Sequence, residues 1–413
     1  MNIQKVIDDV YRFSVNIEDK DYLFEGLWPI PNGISINGYL IKGDKNVIID
    51  LTQDIFNFPR EITHQIEESQ ITIEKIDIII MNHMEPDHSG WLREFCKKNS
   101  KAVIYCSKKA VPLLQAFSSV PPERAVAISD GMVLTVGDYE LQFFDTPNIH
   151  WPETMMTYER KRKILFSCDA FGSYGRVDEN AIFDDQIDGE KHQFFEQESL
   201  RYYANIVATF SSFVLKGLEK LKGFDVEVIC PSHGIIWREN PAEIIDHYKR
   251  YAEYSKGPAE LEVAVVWSSM YGNTKQVLNL VIETLCKRDI PVHVFQVPGD
   301  EIGYILGSAW KSAGLIFGMP TYEYKMFPPM AHTIEELMVK KVTNKKVFRF
   351  GSFGWAGGAQ KDFEARTMRS GWDILGHYEW QGTPKESDKA TIQRLLEAYC
   401  DTLIAFTRQA SKK

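Results

Sequence analysis

The stretch Ile76-Asp77-Ile78-Ile79-Ile80-Met81-Asn82-His83-Met84-Glu85-Pro86-Asp87-His88-Ser89-Gly90 decides how the first half of the chain is read. Ile76–Ile80 is a short apolar run of the kind that forms a buried strand. His83, Glu85, Asp87 and His88, four potential metal ligands, then fall within six residues where that strand breaks into a loop. So many polar groups make a poor core and a good metal site.

Three further strand exits offer ligands of the same kind. His150 follows the apolar run Leu141–Phe144, Asp169 follows Lys163–Phe166, and His233 follows Val226–Ile229. Strand ends on one side of a sheet converge, so loops there can deliver all these side chains to one cavity. Any one of them alone reads as a surface or capping residue; the ordered set reads as a site. The other six histidines (His64, His192, His247, His293, His332 and His377) lack such company and read as solvated or satisfied residues.

The loop resembles the His-x-His-x-Asp-His motif of the metallo-β-lactamase fold, with Glu85 in place of the second histidine. The order His-x-Glu-x-Asp-His, then His, Asp and His, is similar to the flavodiiron proteins (A-type flavoproteins), and the likeness covers essentially the whole chain. It implies one iron on His83, Glu85 and His150, a second on Asp87, His88 and His233, and Asp169 bridging them. A carboxylate at position 85 adds negative charge and a hard oxygen donor, which favours redox iron over zinc. Trp151, Pro152 and Glu153 are expected to surround the ligands.

The first part of the chain mixes short apolar runs, such as Gly38–Ile41, Asn46–Asp50 and Ala102–Tyr105, with a few helical stretches, including a long one from about Glu196 to Leu221. That mix suits sheets covered by helices, an αββα metallo-β-lactamase-like sandwich. The polar segment 254–259 breaks the pattern. The expected domains are 1–254, carrying the iron, and 260–413, carrying a flavin.

After the break, strands alternate with helices. Strands are expected at Leu261–Trp267, Val292–Val297, Ala313–Gly318, Lys346–Phe350 and about Asp373–Trp380, with helices from near Asn273, Pro328, Ala359 and Pro384. This is the pattern of a flavodoxin-like doubly wound parallel sheet. The turn Ser268-Ser269-Met270-Tyr271-Gly272-Asn273-Thr274 puts hydroxyls and backbone N–H groups at a helix N-terminus, where they suit a phosphate. It has no lysine and no GxGxxG, so it is not a P-loop. It resembles the flavodoxin loop that holds the FMN phosphate. The loops holding Pro320, Thr321, Tyr322 and Tyr324, and Ser352, Phe353, Gly354, Trp355 and Gly357, are expected to flank the isoalloxazine.

Charge narrows the partners. From Lys256 onward, 20 Lys and Arg face 17 Asp and Glu, a net of +3; the 27 basic and 40 acidic residues before it carry −13. Neither part has the basic excess of a nucleic-acid binder. No apolar run reaches the ~18 residues of a membrane span, and no export signal is read at the start. The six cysteines are scattered without a CxxC pair, as in a reduced cytoplasm.

FMN and a diferrous pair would together carry the four electrons that take O2 to two waters; the iron pair could instead couple two NO into N2O. The resemblance implies a separate electron donor, rubredoxin-like or another reduced carrier such as a deazaflavin. It also implies a head-to-tail homodimer or a dimer of dimers. Two rivals stand beside this reading: a zinc hydrolase of the sandwich fold with a flavodoxin-like docking module, which Glu85 argues against, and a plain electron carrier, which the complete ligand set argues against. The choice between O2 and NO stays open.

Overall fold

A computed structural model describes residues 2–410, with side chains to 408. The chain forms two compact units, Met1–Tyr203 with Ser212–Lys249, and Ala204–Ser211 with Arg250–Lys413.

The first unit is built on two sheets. One runs in chain order through β1 (Gln4–Ile7), β2 (Val10–Ile17), β3 (Ile34–Ile41), β4 (Asn46–Ile49), β5 (Ile76–Met81), β6 (Val103–Ser107) and β7 (Ala125–Ile128). Pairing is antiparallel from β1 to β4 and parallel from β4 to β7. The second sheet, also in chain order, comprises β8 (Val133–Val136), β9 (Tyr139–Asp145), β10 (Met155–Glu159), β11 (Ile164–Cys168) and β12 (Val228–Pro231). Only its last pair, β11 and β12, is parallel. β5 is apolar at every position but Asp77, as befits a strand with parallel neighbours on both sides.

The sheets face one another through large side chains. Tyr39 meets Phe166 with ring centroids 5.2 Å apart, and Tyr105 stacks on Phe143 at 6.4 Å. Polar ties also cross the seam: Thr157 Oγ1 donates to Asn82 Oδ1 at 2.8 Å and Tyr39 Oη to Pro231 O at 2.7 Å. Helix α1 (Phe58–Glu68) packs on β2.

The expected long helix differs in detail. It starts earlier, as α2 (Gly189–Tyr202), where the Asp188 side chain accepts Lys191 N–H at 2.8 Å as an N-cap. It then opens into a wide turn over Tyr203–Val207 and a tight one over Ala208–Phe210, and resumes as α3 (Ser211–Leu221). Residues 202–208 are buried all round, so this segment has no solvent face to favour regular helix over packing.

The second unit is a five-stranded parallel sheet, in spatial order β14 (Val292–Gln296), β13 (Glu260–Trp267), β15 (Ser312–Gly318), β16 (Lys346–Phe353) and β17 (Asp373–Gln381). That is the flavodoxin order, with the switch point between β13 and β15. Helices are α4 (Lys275–Cys286), α5 (Ile302–Lys311), α6 (Pro328–Val339), α7 (Ala359–Thr367) and α8 (Glu386–Ala410). α4 packs with α8, while α6 packs with α5 and α7. Side chains alternate accordingly: Ile316 joins the cluster containing Ile392 and Leu396, and Phe317 meets Phe363 at 5.7 Å. α5 was not expected from the sequence; its Gly303 and Gly307, both buried, lower helix propensity.

Lys345, just before β16, is buried and donates from Nζ to Trp310 O and Ser312 O, both at 2.7 Å. Burial pushes its amine down to about 7. A base depressed below its unfolded value costs stability while the unfolded chain is protonated, and the cost lifts as pH rises from the folded to the unfolded value. Unfolding of Lys345→Met by guanidinium should therefore lose this component. The difference between parent and variant should change by about 2 kcal/mol between pH 7 and pH 9. A pH-independent difference would contradict the burial argument.

Candidate metal centre and flavin site

The seven metal-ligand candidates converge, and they come from both sheets of the first unit rather than from one. His83, Glu85, Asp87 and His88 leave β5 of the first sheet, with residues 86–89 forming a single helical turn. His150, Asp169 and His233 follow β9, β11 and β12 of the second. Three groups each bring their ligand atoms within 4.8 Å of one another: His83, Glu85 and His150; Asp87, His88 and His233; and His83, His88 and Asp169.

Asp169 stands between the first two groups. Its Oδ2 lies 3.4 Å from His83 Nε2 and 3.8 Å from His150 Nε2. Its Oδ1 lies 3.0 Å from His88 Nε2 and 3.4 Å from His233 Nε2. One carboxylate therefore turns one oxygen toward each triad. All seven residues are buried except Glu85, which is half-buried, with its Oε2 2.8 Å from His150 Nε2 and 3.3 Å from His83 Nε2.

The electrostatics are those of a cage built for cations. Burial favours neutral imidazole, yet Asp169, Glu153 and Glu85 raise His83 well above its ordinary value. Burial likewise acts to lower His233, but Asp169 and Asp87 hold it up at about 10. Burial alone would raise the Asp169 carboxyl, and the surrounding imidazoles, His88 foremost, hold it well below the carboxylate range. Asp87 shows the same need: both its oxygens are buried without a hydrogen-bond partner, as are His88 Nδ1 and His233 Nε2. His233 Nε2 approaches Asp87 Oδ2 at 3.3 Å without hydrogen-bond alignment. A carboxylate buried with no donor is costly unless a cation stands beside it. The residues thus fit a pair of metal ions.

Surrounding groups fix the rings. Glu153 Oε1 takes His83 Nδ1 at 2.7 Å and also accepts Met84 N–H at 3.1 Å. His233 Nδ1 faces Ser35 O at 2.8 Å. Both rings consequently point Nε2 inward. Tyr202 Oη donates to Asp169 Oδ1 at 3.1 Å. Trp151 stands edge-on to His83 at 5.1 Å and Phe24 edge-on to His233 at 5.7 Å. Ser35, Phe24 and Tyr202 had no sequence signal, since each reaches the site from a distant element. Glu153 lay within the segment already marked.

In the second unit, the three expected loops meet at the carboxyl ends of β13, β15 and β16. Ser269 Oγ accepts Gly272 N–H at 3.0 Å, and Thr274 Oγ1 meets Ser352 Oγ at 3.2 Å, joining the first loop to the third. Thr321 Oγ1 accepts Ala359 N–H at 3.3 Å, and Trp355 Nε1 donates to Tyr324 Oη at 3.2 Å, joining the second to the third. Pro320 is buried, whereas Met270, Tyr271, Tyr322, Gly354 and Trp355 are exposed. Asn273, Phe353 and Gly357 are half-buried at the same end. Ser268 Oγ is buried with no partner at the turn leading into α4. A buried, unpartnered hydroxyl at the turn into a helix, with exposed aromatics on the same set of loops, fits the phosphate and planar ring of a flavin nucleotide.

Comparison with known proteins agrees with both sites. Residues 34–234 match a family described as ODP family beta lactamase. The anaerobic nitric oxide reductase flavorubredoxin of Salmonella typhi is 34% identical over 348 residues, 83% of this chain and 70% of that protein. This chain belongs to the flavodiiron protein family. The fold of a flavodiiron protein of Thermotoga maritima superposes with a TM-score of 0.87 at 29% identity, over 97% of this chain and 98% of that one. The rubredoxin oxygen:oxidoreductase of Desulfovibrio gigas does so with 0.90 at 25% identity, over 98% and 99%. Flavodiiron proteins use FMN and a diiron site, and the donor sets here suit both.

A metal held by this cage depends on Glu153 to orient His83. Glu153→Gln is expected to weaken metal retention against a competing chelator by about 10- to 100-fold. Parental retention in that variant would show the His83–Glu153 contact to be idle.

Proposed function

We propose that this protein is a flavodiiron oxidoreductase that reduces O2 to water, NO to N2O, or both, at a diiron centre fed by FMN. The observation that carries this reading is Asp169, whose two oxygens address two separate triads. In this assignment His83, Glu85 and His150 would hold one iron and Asp87, His88 and His233 the other, with Asp169 shared between them. FMN is held by Ser269, Met270, Tyr271, Gly272, Asn273 and Thr274 at its phosphate end. Pro320, Thr321, Tyr322, Tyr324, Ser352, Phe353, Gly354, Trp355 and Gly357 hold its ring. The two functional domains are 1–254 and 260–413.

When bound, the iron pair and the flavin would supply two electrons each for reduction of a small oxidant. The protein's own groups prepare that chemistry. Glu153 and the Ser35 carbonyl hold His83 and His233 in the tautomers that leave Nε2 free. Tyr202 orients Asp169 by donating its hydroxyl to Oδ1. Trp151 and Phe24 shield the imidazoles from water, so charge interactions inside act at low dielectric.

A rubredoxin-like donor fits the names of both relatives, the flavorubredoxin and the rubredoxin oxygen:oxidoreductase. We place the protein in the cytoplasm, as a head-to-tail homodimer or dimer of dimers; among the described residues no helix is long and apolar enough to cross a membrane. The zinc-hydrolase reading is not favoured, because Glu85 makes the site harder and more negative than a histidine would.

Two measurements test the proposal. Anaerobic stopped-flow mixing of the fully reduced protein with O2 and with NO should reoxidise it with at least one of them. Asp169→Ala should lose iron and oxidant reduction while keeping bound, reducible FMN. Protein that carries two zincs, cleaves esters and consumes neither oxidant would end the proposal, and full turnover in Asp169→Ala would end the metal assignment.

A further inference from the structure

Arg349 lies on β16 with no exposed surface, yet it carries a permanent charge. Its Nη1 stands 2.6 Å from Glu379 Oε1 on the neighbouring strand β17, an ion pair without hydrogen-bond alignment. Nη2 donates to Met319 O at 3.2 Å, and Nη1 also reaches Gln360 Oε1 at 3.4 Å. These partners belong to the flavin loops or their anchors. Met319 opens the second loop, and Gln360 lies in the first turn of α7, which the third loop feeds. The other oxygen of Glu379 lies 3.3 Å from where a Cβ would stand at Gly357 in that third loop. At Gly351 a Cβ would collide with Met319 O and sit 3.1 Å from Arg349 Nη2, so only glycine lets the two loop bases meet over the guanidinium.

Stability does not account for the pair. Apolar residues of similar volume commonly hold a core as well as a buried ion pair does, or better. What they cannot do is hold a carbonyl and an amide by hydrogen bonds, and a carboxylate by charge, from three segments at once.

We propose that Arg349 and Glu379 form a positioning pair for the flavin. The guanidinium sets the spacing of the second and third loops, and the carboxylate cancels its charge beside the ring. This rests on the FMN reading above. A reduced flavin carries more negative charge than an oxidised one, so the balance of this pair tunes the potential as well as the fit.

The test uses the full-length protein stripped of FMN and titrated back, with potentials measured on the reloaded form. Parent protein that fails to bind FMN stoichiometrically would overturn the FMN reading itself, whatever the variants do. With the parent binding, Glu379→Gln leaves the Arg349 charge uncompensated. It should tighten reduced over oxidised FMN about tenfold, a rise of roughly 30 mV for a two-electron couple. Arg349→Lys keeps the charge without the fork and should weaken both redox states about tenfold, with an unchanged potential. The double variant Arg349→Met, Glu379→Leu should unfold no earlier than the parent yet bind FMN about tenfold more weakly. A potential unmoved in Glu379→Gln, or parental FMN affinity in the folded double variant, overturns the proposal.

Discussion

Seven ionisable side chains share one buried pocket in the first unit, and their mutual solvation is the constraint on which the unit depends. Three carboxylates and four imidazoles cannot leave water together without counter-charge. Within the cage the carboxylates raise His83 and His233 against the lowering effect of burial, which shows how strongly the pocket favours positive charge. Metal ions would supply that charge at the imidazole lone pairs. Asp87 is the least satisfied of the seven: His88 and His233 Nε2 each approach its Oδ2 at 3.3 Å, but without hydrogen-bond alignment.

The second unit meets a different demand. A flavin needs a phosphate cradle and a slot for a flat ring, and both can be made from loops at one end of a parallel sheet. Loops are soft, so the slot needs an internal brace. The Thr274–Ser352 and Tyr324–Trp355 contacts tie the loops along their rims. Arg349 ties them at the base. Each unit therefore buries charge beside its candidate cofactor site.

Much of this was legible in the sequence, for a physical reason. Candidate ligands on one tight loop must be near neighbours in the chain, so His83 to His88 announce themselves, and candidates at strand exits are marked by the apolar runs before them. The flavin loops follow the same logic. Contacts made by tertiary folding leave no such mark: the Ser35 carbonyl, Phe24 and Tyr202 reach the site from elements whose local sequence has other reasons to exist. The origin of the ligands in two sheets was equally hidden, because an apolar run does not say which sheet it joins. The break between α2 and α3 escaped notice because a fully buried segment has no periodic face to lose.

The order of strands has a consequence for how the protein is made. Within each sheet of the first unit, every strand pairs with the one before it in the chain, which permits growth by successive local pairings. β12 alone arrives late, docking beside β11 after the α2 and α3 helices have intervened, and His233 follows it. During synthesis the nascent chain thus holds six of the seven side chains before the pocket can close. The Asp87, His88 and His233 group is therefore complete only once β12 has docked, whereas the His83, Glu85 and His150 group needs no residue from it.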